Sequence, residues 1–194
     1  MPNWCFTDYV IAGDEKEISD LHDKLSSLPS RDDVHENGFG KFWLGNVVGL
    51  FGGNWEQINC RGSLHDLEKR SPTEISFMTE TAWGDLPEVW DFVLKQYPSL
   101  KYYFYAEECG NCYYATNDQE GKYFPDRFIV DKYADGSTGY TTREDAMRNV
   151  SAHIVQPIES WADMLSKVEK FNADNVDNEV YIYVIQVLTP EISN

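Results

Sequence analysis

The chain has 194 residues, 33 acidic against 16 basic, and a formal net charge of −17. A hydrophobic share of 42% with 14% aromatics excludes a wholly disordered chain. No apolar run approaches the roughly 18 residues of a membrane span, and the negative excess repels a phosphate backbone, which excludes direct, charge-driven binding of nucleic acid.

Residues 3–12 are rich in aromatic and β-branched side chains and predict a strand, ended by Gly13-Asp14. Residues 15–27 predict a helix. Ile18, Leu21, Leu25 and Leu28 form one apolar stripe, Asp14 is the expected N-cap and Pro29 the stop. A polar loop, residues 30–40, leads to a short helix within residues 41–51, closed by Gly52-Gly53. Residues 56–62 read as a strand, 63–72 as a polar turn and 73–80 as a strand with Ile75, Phe77 and Thr79 on one face. Asp85 is the expected cap of a helix over residues 86–97 that buries Val89, Trp90 and Val93.

Strands follow at residues 101–108 and 112–117, joined by Cys109-Gly110-Asn111, and at residues 127–132. Asp135-Gly136-Ser137 reads as a turn and Gly136-Ser137-Thr138-Gly139 as a flexible loop. Helices near residues 143–150 and 158–171 precede a last strand, residues 180–188. The second of these helices is expected to bury Ile158, Trp161, Leu165, Val168 and Phe171. Up to residue 108 the order is strand, helix, strand, strand, helix, strand. That order predicts an α+β fold, the ferredoxin-like split βαβ core, in which two helices cover one face of an antiparallel sheet. Residues 1–131 are expected to form this core, and residues 132–194 a C-terminal helix–strand extension packed on the same compact unit.

Three features coincide: Asn3-Trp4-Cys5 opening the first strand, the strand Ile75-Ser76-Phe77-Met78-Thr79-Glu80-Thr81-Ala82-Trp83 leading directly into a helix, and the aromatic strand Tyr102-Tyr103-Phe104-Tyr105 before a glycine turn. In these the chain resembles the Api-like or YubB-like ferredoxin-like domain proteins of phages, plasmids and conjugative elements. The resemblance spans roughly residues 2–131. Members often carry prolines soon after the tryptophan, where this chain has Gly84-Asp85-Leu86-Pro87. The resemblance implies the fold and a mobile-element or bacterial cytosolic origin; it brings no activity and no catalytic residues. The opening Met1-Pro2-Asn3-Trp4-Cys5 does not read as a secretory signal, so a cytoplasmic location with reduced thiols is expected.

Cys109-x-x-Cys112 offers two thiols, but a structural zinc takes four ligands. Cys5, Cys60, His22, His35, His65 and His153 supply no second close pair. A redox pair gains reactivity at a helix N-terminus, whereas this one lies between strands beside Glu107 and Glu108. An ordinary hairpin turn is expected, without metal or cofactor. Residues 131–142 lack the glutamate of a calcium loop, and residues 136–139 lack a P-loop lysine. Glu107 and Glu108 point to opposite faces of a strand, which prevents joint acid–base work on one substrate. Tyr103 and Tyr105 share a face, Tyr102 and Phe104 the other, and an exposed aromatic pair rimmed by acids makes a protein-binding patch.

The candidate residues are therefore Tyr103, Tyr105, Glu107 and Glu108. The expected function is an acidic, non-catalytic protein-binding module directed at a partner with a basic surface. The alternative is a small-ligand binder or enzyme built around the Cys109–Cys112 hairpin.

Overall fold

In the computed structural model, which describes residues 2–189, the chain divides into two units, Met1–Asn117 and Asp118–Asn194. The first holds β1 (Trp4–Ala12), α1 (Glu15–Ser27), α2 (Leu44–Leu50), β2 (Gly62–Ser71), β3 (Glu74–Ala82), α3 (Pro87–Leu94), β4 (Lys101–Glu108) and β5 (Tyr113–Thr116). Its strands lie side by side in the order β2-β3-β1-β4-β5, and every neighbouring pair is antiparallel. Together with the helices they make a mixed α+β unit, as the alternation of patterns implied.

The first helix forms for the predicted reasons. Asp14 Oδ1 accepts from the backbone N–H of Lys16 at 2.9 Å and of Glu17 at 3.3 Å, which satisfies two of the donors a helix start leaves open. Ile18, Leu21 and Leu25 are buried, each worth about 1.5–3 kcal/mol of apolar transfer. They share one core with Cys5, Tyr9 and Ile11 of β1, Ile75 and Phe77 of β3, Val89, Trp90 and Val93 of α3, and Phe104 of β4. The centre of that core is aromatic: Tyr9 stacks on Phe77 at 5.1 Å, and Trp90 lies 4.3 Å from Phe77, centroid to centroid.

Two local expectations are corrected. The polar turn placed at residues 63–72 is the strand β2, and the strand placed at residues 56–62 is mostly a 3-10 turn (Trp55–Gln57) and loop. β2 is the outer neighbour of β3, so its second half faces water and carries polar residues. Its register also shifts between His65 and Glu68, with Asp66 at φ 53°, which breaks the period-two pattern. Asp85 caps nothing. α3 starts at Pro87 without a side-chain cap, and Asp85 Oδ1 accepts instead from the Tyr113 hydroxyl at 2.6 Å.

The second unit holds β6 (Phe128–Lys132), β7 (Gly136–Tyr140), α4 (Arg143–Ile154), α5 (Trp161–Asp174), β8 (Val180–Val184) and β9 (Gln186–Val187). β6 is paired antiparallel with β7 on one side and β8 on the other. It is thus the central strand of a second sheet and not part of the first core, which moves the expected boundary from residue 131 to residue 117. β7, whose Gly136–Gly139 stretch was expected as a flexible loop, is an outer strand exposed over Gly136, Ser137 and Thr138 and half-buried at Gly139 and Tyr140. Thr142 and Ser160 cap α4 and α5, accepting from Asp145 N at 3.1 Å and Asp163 N at 3.2 Å. Met164 and Val168 are buried in α5 while Leu165 is exposed, because the inward stripe runs through Trp161, Met164, Val168 and Phe171. Among the described residues no helix is long and apolar enough to cross a membrane.

Candidate functional site

Alternation along β1 sends Cys5, Thr7, Tyr9 and Ile11 into the core and leaves Phe6 and Asp8 exposed on the opposite face of the sheet. The registers fix their neighbours. Ser63, Glu80, Phe6, Glu107 and Tyr114 form one row across the five strands, and His65, Met78, Asp8, Tyr105 and Thr116 form the next. Directly opposed side chains have Cβ atoms about 5 Å apart. Phe6, 41% exposed, is therefore flanked by Glu80 on one side and Glu107 on the other, with Asp8 one row along.

Of the four residues singled out from the sequence, Tyr105 and Glu107 belong to this cluster, and the Tyr105 hydroxyl donates to Glu107 Oε2 at 3.3 Å. Burial and the Glu107 charge push the Tyr105 phenol well above its ordinary range. Tyr103 shares the face but pairs with Val10, two rows from Phe6, roughly 13 Å along the strand. Glu108 is a correction: it lies on the core side and is 1% exposed. Its carboxylate accepts from Gly110 N at 2.7 Å and Asn111 N at 3.0 Å, closing the 3-10 turn Cys109–Asn111. Glu108 builds the hairpin and offers no surface.

Phe6, Asp8 and Glu80 were not legible as site residues, since their proximity depends on cross-strand register. Asp8 shows the cost of the arrangement. Although the residue as a whole is exposed, partial burial strips water from its carboxyl and pushes it above the usual aspartate range, against a partly offsetting pull from Arg70. A carboxyl raised on folding binds its proton more tightly folded than unfolded. Its ionised form therefore weakens the fold at neutral pH, and the penalty disappears as pH falls below the ordinary aspartate range. Asp8→Asn should raise the melting temperature at pH 7 and give no gain near pH 3, about a unit below that range. Melting curves at the two pH values test this; an equal gain at both would refute it.

The hairpin and the remaining polar groups limit the chemistry available. Cys109 and Cys112 are exposed, while Cys5 and Cys60 are buried, and burial pushes both buried thiols up to about 11. Iodoacetamide at pH 8 should therefore label Cys109 and Cys112 in the native protein and reach Cys5 and Cys60 only after denaturation. Peptide mapping showing four equally labelled cysteines would contradict this burial. Ser63 Oγ lies 2.8 Å from His65 Nε2, a pair hidden from sequence reading by the turn expected there. Glu80 Oε2 stands 3.9 Å from the same nitrogen. An activating relay needs the carboxylate on Nδ1 and the hydroxyl on Nε2, whereas here both approach Nε2, so the contact does not arrange Ser63 as a nucleophile with its base. Among the described residues no three His, Cys, Asp or Glu side chains are grouped to hold a metal ion.

The site is thus an exposed ring set among carboxylates, with a raised aspartate. Comparison with family models, with curated proteins and with solved structures finds no match to this chain.

Proposed function

We propose that the chain is a cytoplasmic, non-catalytic protein-binding module that docks a basic partner surface on the face bearing Phe6, Asp8, Glu80, Tyr105 and Glu107. The single observation that carries this reading is the exposed Phe6 ring held between Glu80 and Glu107. A lysine or arginine placed there meets the face of an aromatic ring and carboxylates on both sides, and the partner surface supplies the charge the net −17 lacks. The strand order β2-β3-β1-β4, with α1 and α3 in the crossovers, supports the finer reading of a ferredoxin-like split βαβ core. It also supports the resemblance to the Api-like or YubB-like proteins, and with it a phage or mobile-element origin. The favoured partner is then a protein that normally handles nucleic acid, engaged directly without nucleic acid or membrane. The hairpin alternative gains nothing from the turn geometry, which Glu108 uses up in capping.

The test is a pull-down from nuclease-treated bacterial lysate, followed by binding of the purified partner at low and high salt. Charges at this surface are screened within about 10 Å at 0.1 M salt and about 3 Å at 1 M. Binding should fall steeply with salt and be lost in the double variant Glu80→Lys, Glu107→Lys, with Phe6→Ser weakening it alone. A partner retained by both variants, or no partner at either salt, would overturn the reading.

A further inference from the structure

Residues 31–61, between α1 and β2, stand outside the strand–helix alternation of the first unit, and residues from Asn37 to Arg61 line an open cleft of about 390 Å³. Its walls are the rings of Phe39, Trp43 and Trp55. Trp43 and Trp55 meet at 63° with centroids 5.1 Å apart, so their planes form a wedge. Each ring is held by something else. Trp55 Nε1 donates to His35 Nε2 at 3.3 Å, Trp43 lies where a side chain at Gly45 would be, and Phe39 stands edge-on to Trp4 at 6.2 Å. The wedge is therefore preformed, and a ring entering it does not bear the cost of ordering the walls.

The polar groups of the cleft are mostly donors. Asn37 Oδ1 accepts from Phe39 N at 2.9 Å and Asn59 Oδ1 accepts from Arg61 N at 3.4 Å, which leaves the two amide NH2 groups as the unused ends. Arg61 lines the same cleft and has no carboxylate partner among the described residues, in a chain with 33 acids to 16 bases. Glu56 is the one acid in the lining. A cavity this small, at the low end of the 300–1,000 Å³ typical of ligand pockets, suits one ring system with one substituent.

We propose that this cleft binds a small molecule made of a planar ring and one anionic oxygen group, with the ring against Trp43 and Trp55 and the oxygens toward Arg61, Asn37 and Asn59. Carboxylate and phosphate share that chemistry, and they give the two arms of the test. This site is separate from the acidic face around Phe6, and binding here does not depend on the partner proposed there.

The experiment follows the tryptophan indole N–H signals of the full chain in 1H–15N spectra during four titrations. The probes are indole-3-carboxylate, adenosine monophosphate, and their uncharged counterparts indole-3-carboxamide and adenosine. At least one acid should shift the Trp43 and Trp55 signals saturably below millimolar concentration, and the tighter of the two identifies the oxygen group. Arg61→Gln should weaken the acid about tenfold, the loss of one charge-assisted contact, and leave the neutral counterpart unchanged. Trp55→Leu should abolish both while the rest of the spectrum stays dispersed, which separates loss of the site from loss of the fold. The proposal fails if neither acid gives a saturable shift, or if Arg61→Gln weakens acid and neutral probe alike.

Discussion

Trp90→Ala should lower stability by about 3–5 kcal/mol, the range for emptying a large aromatic site in a close-packed core. Trp90 is wholly buried and lies against both Phe77 and Tyr9, at 4.3 and 5.5 Å between centroids. Its loss removes the ring that joins α3 to β3 and β1, and the neighbours are themselves rings that cannot collapse into the gap. Against a total of about 5–15 kcal/mol, such a change takes a large share of what holds the fold. In urea the midpoint should drop by roughly 2 M at a slope near 2 kcal/mol per molar.

Trp83 is the control. It is 56% exposed with φ at 76°, a backbone region that suits glycine and strains a bulky residue. Trp83→Gly should leave the midpoint nearly unchanged, relief of strain offsetting the extra freedom glycine gives the unfolded chain. Equal losses in both variants would mean that burial does not rank these two side chains.

The contrast between these tryptophans marks how far sequence carries. Trp90 reads as core because it shares a helical stripe with Val89 and Val93, and α1 and β3 are legible for the same reason, one clean period and one buried face. β2 and β7 escape such a reading because outer strands need not alternate, and β2 also breaks its period at Asp66. The candidate face divides along the same line. Parity within β4 puts Tyr103, Tyr105 and Glu107 together and excludes Glu108, so that inclusion contradicted the period-two rule itself. Phe6 and Glu80 come from β1 and β3, and only the pairing Phe6 to Glu80 and Phe6 to Glu107 makes them one site. Register depends on turn geometry and on the whole buried face, which a single strand's sequence does not contain.

Asn46→Asp should be the most damaging single-atom change in the insertion that forms the aromatic cleft. Asn46 is buried, and its amide is fully used: Oδ1 accepts from His35 N at 2.8 Å, and Nδ2 donates to His35 O and Lys41 O, both at 3.1 Å. A carboxylate keeps the acceptor but turns both donor contacts into oxygen facing oxygen, and it carries an unpaired charge out of water. The expected loss is about 3–5 kcal/mol at neutral pH, the scale for a buried charge without a partner. A protonated carboxyl regains one donor. The defect should therefore ease as pH falls, the sign for an acid whose folded form holds its proton more tightly than the unfolded form.

The effect should reach function through His35. Asn46 holds both backbone groups of that residue, and His35 Nε2 accepts the Trp55 indole N–H hydrogen bond that fixes one wall of the wedge. Asn46→Leu removes the charge but leaves the same backbone groups unpaired, so it should destabilise less, without the pH dependence, and still release Trp55. Urea melts of both variants at pH 7 and pH 5, read beside the Trp55 indole signal, separate the two contributions. A Trp55 signal unmoved in both variants would mean that the cleft is held by ring packing alone, and that the buried amide only closes the loop.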